Sequence, residues 1–230
     1  MFQLQEVCKR YAHRQGEVVA LEPITLTVER GEFVAVVGPS GSGKTTLLSL
    51  LGGMLAPTSG KVWLDGQSLY DATPAARAQI RRRQLGFVFQ TFNLIPYLSA
   101  LENVQVPLML ARRDVAEQRE RAATLLTRVG LESRVHHKPS ELSIGQQQRV
   151  ALARTLANDP AVILADEPTG NLDPATRGQV MDFLEALCGE GRTVIMVTHD
   201  PAAAERATRT VRLAEGAVMH DSKVAATQAA

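Results

Sequence analysis

The stretch that decides the fold is Gly38 to Thr46, which reads GPSGSGKTT. It fits the pattern G-x-x-x-x-G-K-[ST], with the glycines, the lysine and the threonine in the required places. The apolar and β-branched run Phe33 to Val37 precedes it and predicts a strand. A leucine-rich run at 47–51 follows and predicts a helix that ends at Gly52. The sequence therefore predicts a strand that enters a glycine-rich loop and a helix that leaves it.

Phosphate binding is the chemistry of such a loop. Glycines let backbone N–H groups approach an anion, and the N-terminus of the following helix adds a positive dipole end. The lysine can reach the terminal phosphates, and the threonine hydroxyl can hold Mg²⁺. The alternative is a flexible Gly/Ser turn with an unrelated lysine, which the flanking strand and helix disfavour. We expect a nucleoside triphosphate to be bound by Gly38, Ser40, Gly41, Gly43, Lys44, Thr45 and Thr46.

Length and composition limit the class of protein. The chain has 230 residues, of which 45% are hydrophobic, enough for one α/β domain with a packed core. A formal net charge of +1 gives no general attraction to nucleic acid, so no nucleic-acid partner is expected. Cys8 and Cys188 predict ordinary reduced thiols of a cytosolic protein. Met1 to Arg10 lacks a signal-type core, and no apolar run approaches the roughly 20 residues that cross a bilayer. We expect a soluble chain that can still dock on a membrane protein.

Apolar segments alternate with helical segments along the chain. Strands are predicted at Phe2–Val7, Ile24–Val28, Phe33–Val37, Lys61–Leu64, Leu85–Phe89, Ala161–Ala165, Thr193–Thr198, Thr210–Leu213 and Ala217–His220. Helices are predicted at Pro74–Arg83, Ala111–Val129 and Asp173–Cys188. This order predicts an α/β fold with a mostly parallel sheet covered on both faces. We expect one domain over residues 1–230, with a helical subdomain inserted at 91–158.

Polar side chains follow several of the predicted strands. Gln90 ends one strand, Asp166 and Glu167 end another, and His199 ends a third. Because ligands bind at the carboxyl ends of parallel strands, these groups are expected in one crevice. Asp166 is suited to holding Mg²⁺, Glu167 to orienting or deprotonating water, and His199 to contacting a terminal phosphate. Capping acids and a structural histidine are the alternatives.

One further stretch, Leu142 to Arg149, reads LSIGQQQR and resembles the signature of ATP-binding-cassette (ABC) proteins, usually LSGGQ. The order of GPSGSGKTT, Gln90, VILADEP, Asn171-Leu172-Asp173 and His199 matches that family over nearly the whole chain. The resemblance implies a P-loop NTPase core, an antiparallel β subdomain and an inserted helical subdomain. It also implies an ATPase that uses ATP and Mg²⁺.

The signature also has a physical interpretation. Ser143 and Gln146 have the spacing of a capping box, which predicts that Ser143 starts a helix. The positive end of that helix would present Ser143 and Gly145 to an anion. In the resembled family the anion is the terminal phosphate held by a second copy, so that two cassettes enclose two ATP molecules head to tail. The chain departs from the family at Ile144, where glycine is usual.

The same resemblance implies roles for three other residues. Tyr11 looks like the aromatic side chain that stacks on adenine. Gln90 looks like the residue that links Mg²⁺, and thus the reacting water, to the transporter contact. Asp173 looks like the residue that communicates across the dimer, close to the nucleotide.

The stretches QTFNLIPYLSALENVQVPLML, PTSGKVWLDGQ and ADEPTGNLD resemble the lipoprotein-releasing and macrolide-exporter branch. This implies a transmembrane permease partner and a location on the cytoplasmic face of the cell membrane. Alternatives are an importer subunit and an ATP-driven regulator of a membrane complex. A soluble cassette of DNA repair or translation, and a nucleotide kinase, fit the length and the signature less well.

An apolar segment after Gln90 predicts the partner's docking place. We expect a groove for a short helix of the permease, lined by Phe92, Leu94, Ile95, Pro96, Tyr97 and Leu98. The alternative places these side chains in the core of the helical subdomain.

Overall fold

Ten strands and seven α-helices make up the computed structural model within the residues that it describes, 1–13, 16–170 and 172–223. The strands are β1 (Phe2–His13), β2 (Gly16–Val28), β3 (Phe33–Val37), β4 (Ser59–Leu64), β5 (Gln67–Ser68), β6 (Leu85–Phe89), β7 (Val162–Asp166), β8 (Thr193–Thr198), β9 (Arg209–Ala214) and β10 (Ala217–Asp221). The helices are α1 (Lys44–Leu51), α2 (Pro74–Gln84), α3 (Ala100–Leu110), α4 (Val115–Arg128), α5 (Ile144–Thr155), α6 (Pro174–Gly189) and α7 (Pro201–Ala204). Short 3-10 turns lie at Glu132–Arg134 and Pro139–Glu141.

The central sheet has six strands in the order β10-β9-β3-β8-β7-β6. All neighbours are parallel except β10, which pairs antiparallel with β9. Both faces of β3 are buried, because Val34 and Val36 belong to one core cluster while Phe33 and Ala35 belong to the other. The predicted α/β class with a mostly parallel sheet is confirmed.

A second sheet is antiparallel, in the order β2-β1-β4-β5. The predicted strands 2–7 and 24–28 are too short, because β1 continues to His13 and β2 begins at Gly16. Tyr11 therefore lies inside β1 and not between the strands, opposite Val18. Most side chains of this hairpin extension are exposed, so the sequence there lacks the apolar alternation that marks a half-buried strand.

Residues 91–158 contain α3, α4 and α5. The predicted helix from Ala111 begins only at Val115, since Asp114 caps α4 by accepting a hydrogen bond from the Ala116 N–H at 2.8 Å. Arg112, in the turn before it, has a left-handed φ of 57°. The division of the chain into domains stays a prediction. Among the described residues no helix combines the length and apolarity that a membrane crossing needs.

Candidate active site

The glycine-rich loop joins β3 to α1, as the sequence predicts. Gly43 precedes α1 with a left-handed φ of 97°, and its carbonyl accepts the Leu47 N–H at 2.8 Å. Lys44 is buried, and its Nζ donates to the carbonyl oxygens of Gly38 at 2.8 Å and Pro39 at 2.9 Å. The lysine charge is thus held inside the curve of the loop, close to its backbone.

Two glycines let the loop pack against distant strands. A Cβ on Gly38 would lie 2.1 Å from the Leu213 carbonyl oxygen at the end of β9. A Cβ on Gly43 would lie 2.5 Å from the Ala20 carbonyl oxygen of β2. The Gly216 N–H, in the turn between β9 and β10, donates to the carbonyl of Ser42 at 3.3 Å. The last hairpin and β2 therefore brace the back of the loop, while Ser40 and Gly41 face solvent.

Strand register brings the other predicted residues to the same edge. Phe89 pairs with Asp166, Asp166 pairs with Val197, and Val37 pairs with Thr198. Each of these strand ends is followed by a predicted site residue. The glycine-rich loop follows β3, Gln90 follows β6, Glu167 follows β7 and His199 follows β8. The convergence expected from the strand ends is present in the structure.

Asp166 lies beside Thr45, whose Oγ1 donates to Oδ1 at 3.4 Å. Burial raises the pKa of Asp166, and the hydrogen bond from Thr45 opposes that shift. A half-buried carboxylate regains stabilisation from a nearby cation, and its oxygen suits a hard one. No group of three His, Cys, Asp or Glu side chains forms a metal-ligand set in the described ranges. Thr45 and Asp166 present two neighbouring oxygen atoms, a donor set that fits a hard cation such as Mg²⁺.

Glu167 and His199 form a hydrogen-bonded pair. His199 Nδ1 lies 2.9 Å from Glu167 Oε1, and Oε2 accepts from the Thr198 hydroxyl at 3.3 Å. Glu167 has a left-handed φ of 46°, a conformation that costs about 1 kcal/mol in a residue with a Cβ. Its N–H still donates to the Val197 carbonyl at 3.0 Å, so the turn begins at the sheet edge and directs the carboxylate toward His199.

Gln90 reaches the same area. A Cβ on Gly170 would lie 3.0 Å from Gln90 Nε2, and the Gly170 N–H donates to the Glu167 carbonyl at 3.1 Å. A cavity of about 250 Å³ lies here, lined by Glu167, Thr169, Gly170, Arg177, His199, Asp200 and Pro201. It offers room beside the Glu167 carboxylate for water.

The signature residues form the start of α5. Ser143 accepts the Gln146 N–H at 3.3 Å, and Gln146 Oε1 accepts the Ser143 N–H at 3.0 Å, which confirms the predicted capping box. Ile144 is 58% exposed. A Cβ on Gly145 would lie 3.1 Å from the Thr176 side chain at the start of α6. Among the described residues, no hydrogen bond joins Ser143, Gly145 or Gln146 to the glycine-rich loop of the same chain.

Asp173 caps α6 by accepting the N–H groups of Ala175 and Thr176, both at 3.1 Å. Hydrogen bonds, first that from the Thr176 hydroxyl at 2.6 Å, lower the pKa of Asp173. Asn171, which precedes this cap in the family motif, lies outside the described residues.

Tyr11, the predicted adenine-stacking residue, is partly exposed on the β1–β2 hairpin, with Lys9 Nζ 5.1 Å from its ring centroid.

Sequence reasoning missed two side chains that place the signature helix. Gln148 is buried, and its Nε2 donates to the carbonyl of Pro168, next to Glu167, at 3.1 Å. Arg154 donates to the carbonyls of Phe92 and Asn93, both at 2.6 Å, and so fixes the segment after Gln90. Gln148 lies on the same helix face as Ala151, and that face is otherwise apolar. A single glutamine on an apolar face could have indicated a buried hydrogen bond.

A groove lies beside the segment where we predicted that the permease docks, but the six predicted residues do not line it. Phe92 and Leu94 pack against the core, because the side chain of Asn103 ties the turn at Ile95 down through bonds of 2.8 and 3.1 Å. A groove of about 560 Å³ lies instead between α2, β6, α3 and α5. Its walls include Arg82, Phe87, Phe89, Asn93, Val106, Pro107, Leu110 and Arg154, and none of the six apolar residues expected.

Known proteins share this arrangement. The sequence model described as ABC transporter matches residues 21–170. The macrolide export ATP-binding/permease protein MacB of Syntrophobacter fumaroxidans is 50% identical, over 96% of this chain and 32% of that protein. MacB of Hyphomonas neptunium is 48% identical over 96% of this chain and 34% of its own length. The chain therefore spans about a third of these relatives.

Relatives of matching length also occur. The ABC transporter ATP-binding protein YvrO of Bacillus subtilis is 46% identical over 97% of both chains. The dimeric ATP-binding cassette MJ0796, solved in a post-hydrolysis state with ADP and Pi, superposes with a TM-score of 0.89 at 44% identity. That match covers 96% of this chain and 97% of the solved one. With the glycine-rich loop, the strand-end acids and the capped signature helix in place, the chain belongs to the ABC transporter family as an ATP-binding cassette.

Proposed function

We propose that the chain hydrolyses ATP and that this reaction drives a membrane transporter of the exporter type. The observation that carries the proposal is the single sheet edge where Lys44, Thr45, Asp166 and the Glu167–His199 pair meet. In the reaction a water oxygen forms a bond to the terminal phosphorus, and the bond from that phosphorus to the bridging oxygen breaks. The products are ADP and phosphate.

The loop and the neighbouring strand ends bind the nucleotide. Lys44 and the backbone N–H groups of the loop hold the phosphates, and Tyr11 stacks on the adenine. Thr45, Asp166 and Gln90 would hold Mg²⁺, which would neutralise negative charge on the phosphate oxygens. Support comes from burial, which raises the pKa of Asp166, because a nearby cation would stabilise the ionised carboxylate and lower that pKa.

Glu167 accepts the proton of the attacking water. Its hydrogen bonds from Thr198 and His199 fix the carboxylate at the cavity. Nδ1 of His199 lies against that carboxylate, so the opposite edge of the ring, with Nε2, is available to face the terminal phosphate. Gln90, whose amide lies over Gly170, orients the same water.

A second copy completes each site. Ser143, Gly145 and Gln146 lie at a helix N-terminus and, in the described part of the chain, form no hydrogen bond to their own loop. Asp173 lies beside them through Thr176. Two copies in a head-to-tail dimer bring this surface to the partner's terminal phosphate. The dimeric form of the relative that is 44% identical supports this arrangement.

A transmembrane permease is the partner in transport. Support comes from the relatives named as export ATP-binding/permease proteins, in which the cassette accounts for a third of the length. The groove between α2 and α3 is apolar with arginines at its edge, and it suits a short helix of that permease. The chain then acts on the cytoplasmic face of the cell membrane.

Mixing two inactive variants tests the shared site. Lys44→Ala removes the loop lysine, and Ser143→Arg blocks the signature, so each variant alone should have no measurable ATP turnover. In an equimolar mixture about half of the dimers are mixed, and each has one site with both halves intact. About a quarter of the wild-type phosphate release should return. Absence of any recovery, with both variants folded, would contradict the shared site.

A further inference from the structure

The C-terminal end of α3 and the first residue of α4 present apolar side chains to solvent. Met109, Leu110 and Val115 are 59%, 64% and 73% exposed. The helix packs through its other face, where Val104 and Leu108 are buried. Single exposed apolar residues are ordinary, but three of them within residues 109–115 indicate a surface that a lipid layer or a partner would cover.

Three arginines that form no ion pair within the described residues lie on α2 and in the turn that follows α3. Arg82 Nη1 donates to the Leu110 carbonyl oxygen at 2.6 Å, which places the end of α2 against the end of α3. Arg83 is the next residue, and Arg112 lies in the turn that follows Leu110; all three arginines are exposed. None of them meets a carboxylate within 4 Å in the described parts of the chain. We call Arg82, Arg83, Met109, Leu110, Arg112 and Val115 the α3 patch.

Nearby acidic groups do not cancel this charge. Glu117 is paired with Arg113 at 2.5 Å, and the Asp114 carboxylate accepts the Ala116 N–H as the cap of α4. Three arginines against one exposed capping carboxylate leave the patch positive, although the chain as a whole carries a formal charge of only +1.

We propose that the α3 patch binds the anionic headgroups of a lipid bilayer. Arginines suit the phosphate layer, and the apolar side chains suit the boundary between headgroups and acyl chains. A second copy is a poor occupant, because the patch would face its own positive charge. The contact goes beyond the ATPase and permease roles proposed above, since it requires neither nucleotide nor permease.

The position of the patch supports a lipid surface. Arg82 and Leu110 also line the groove proposed for the permease, so the patch borders that groove. A chain docked through the groove would turn the patch toward the bilayer that surrounds its partner. Direct lipid contact would then fix the tilt of the cassette beneath the membrane.

Flotation with lipid vesicles tests the proposal on the full chain without permease or nucleotide. The chain should bind phosphatidylcholine vesicles that contain phosphatidylglycerol, and binding should fall as salt is raised. Arg83→Gln with Arg112→Gln should weaken partition about 25-fold, at about five-fold for each arginine. Met109→Ser with Leu110→Ser should weaken it about ten-fold and leave the salt dependence unchanged.

A charge-matched control is Arg30→Gln with Arg134→Gln, which should change partition by less than about two-fold because both residues lie outside the patch. Equal binding to pure phosphatidylcholine, or an equal loss in the control, would overturn the proposal. So would binding that appears only when permease is present in the vesicles. ATP turnover by Arg83→Gln with Arg112→Gln should stay normal in all cases, so a failure here is distinct from a failure of the ATPase mechanism.

Discussion

The loop side and the signature side of this molecule are built in opposite ways. Lys44 is buried within the loop curve, and Asp166 and Glu167 lie at strand ends whose register the sheet fixes. Ser143 and Ile144 are exposed, and the capping box formed by Ser143 and Gln146 positions them at the start of α5. The difference teaches that the loop half of the site is fixed by the fold of one chain, whereas the signature half is an exposed surface, for which we propose a second copy as the partner.

Energetics follow the same division. The loop side depends on backbone packing that leaves no room for a side chain at Gly38 or Gly43. The signature side depends on interactions of about 1 kcal/mol each, such as a helix cap. Substitutions on the loop side should therefore have larger effects, and these should be measurable on a single chain. Effects of substitutions on the signature side should be smaller and measurable only on a dimer.

The largest effect is expected on the loop side, from Glu167→Gln. The amide cannot accept the water proton, so ATP turnover should fall by at least about 100-fold. The nucleotide-bound dimer should persist, since binding contacts are kept, and gel filtration with ATP should show it. Glu190→Gln, an exposed change at the end of α6, is the matched control with normal turnover. Near-normal hydrolysis by Glu167→Gln would show that another group takes the proton.

A smaller effect on the loop side is expected from Asp221→Asn, through the hairpin that braces the loop. The hydrogen bond from Arg209 lowers the pKa of the buried Asp221, so this group stabilises the fold above its unfolded pKa. That stability is lost as the pH falls through the lowered folded pKa. At neutral pH the variant should lose about 2 kcal/mol in free energy of unfolding, by urea titration.

The difference between Asp221→Asn and wild type should shrink in acid, where the native carboxyl is protonated too. Asp182→Asn breaks an exposed pair with Arg206 and should cost less than about 1 kcal/mol. Equal losses in the free energy of unfolding for Asp221→Asn and Asp182→Asn would mean that the Arg209–Asp221 pair stabilises the fold no more than an exposed pair does.

On the signature side, Ser143→Ala should reduce ATP turnover about ten-fold, through a lost cap and a lost contact to the partner's phosphate. Nucleotide affinity measured on dilute monomers should not change, because the loop side is untouched. Ser99→Ala is the matched control, since Ser99 forms an equivalent capping box with Glu102 at the start of α3. If Ser99→Ala slows turnover as much, the effect of Ser143 comes from helix stability alone.

The smallest effect is expected from Ile144→Gly. As the first residue of α5, Ile144 has ordinary helical backbone and an exposed side chain, so the departure from glycine is tolerated. Turnover and ATP-driven dimerisation should change by less than about five-fold, the worth of about 1 kcal/mol of apolar contact. A rise of 100-fold would show instead that the native isoleucine obstructs closure of the dimer.

The sequence predicted the sheet, the loop and the strand-end residues because each leaves a local pattern. Buried β-branched runs mark β3 and β8, and a polar residue after such a run marks a site at the sheet edge. The exposed β1–β2 extension left no pattern, since neither face is buried. Contacts such as Gln148 to Pro168 join residues 20 apart in the chain, and only the packed fold brings them together. The roles of the individual site residues remain predictions.

The packing of Gly38 on Leu213, and of Ser42 on the turn at Gly216, has a consequence for biosynthesis. A nascent chain exposes its phosphate loop long before the ribosome has made the hairpin that seats it. We therefore expect tight nucleotide binding only after residue 216 has left the exit tunnel, so that ATP would act late in folding.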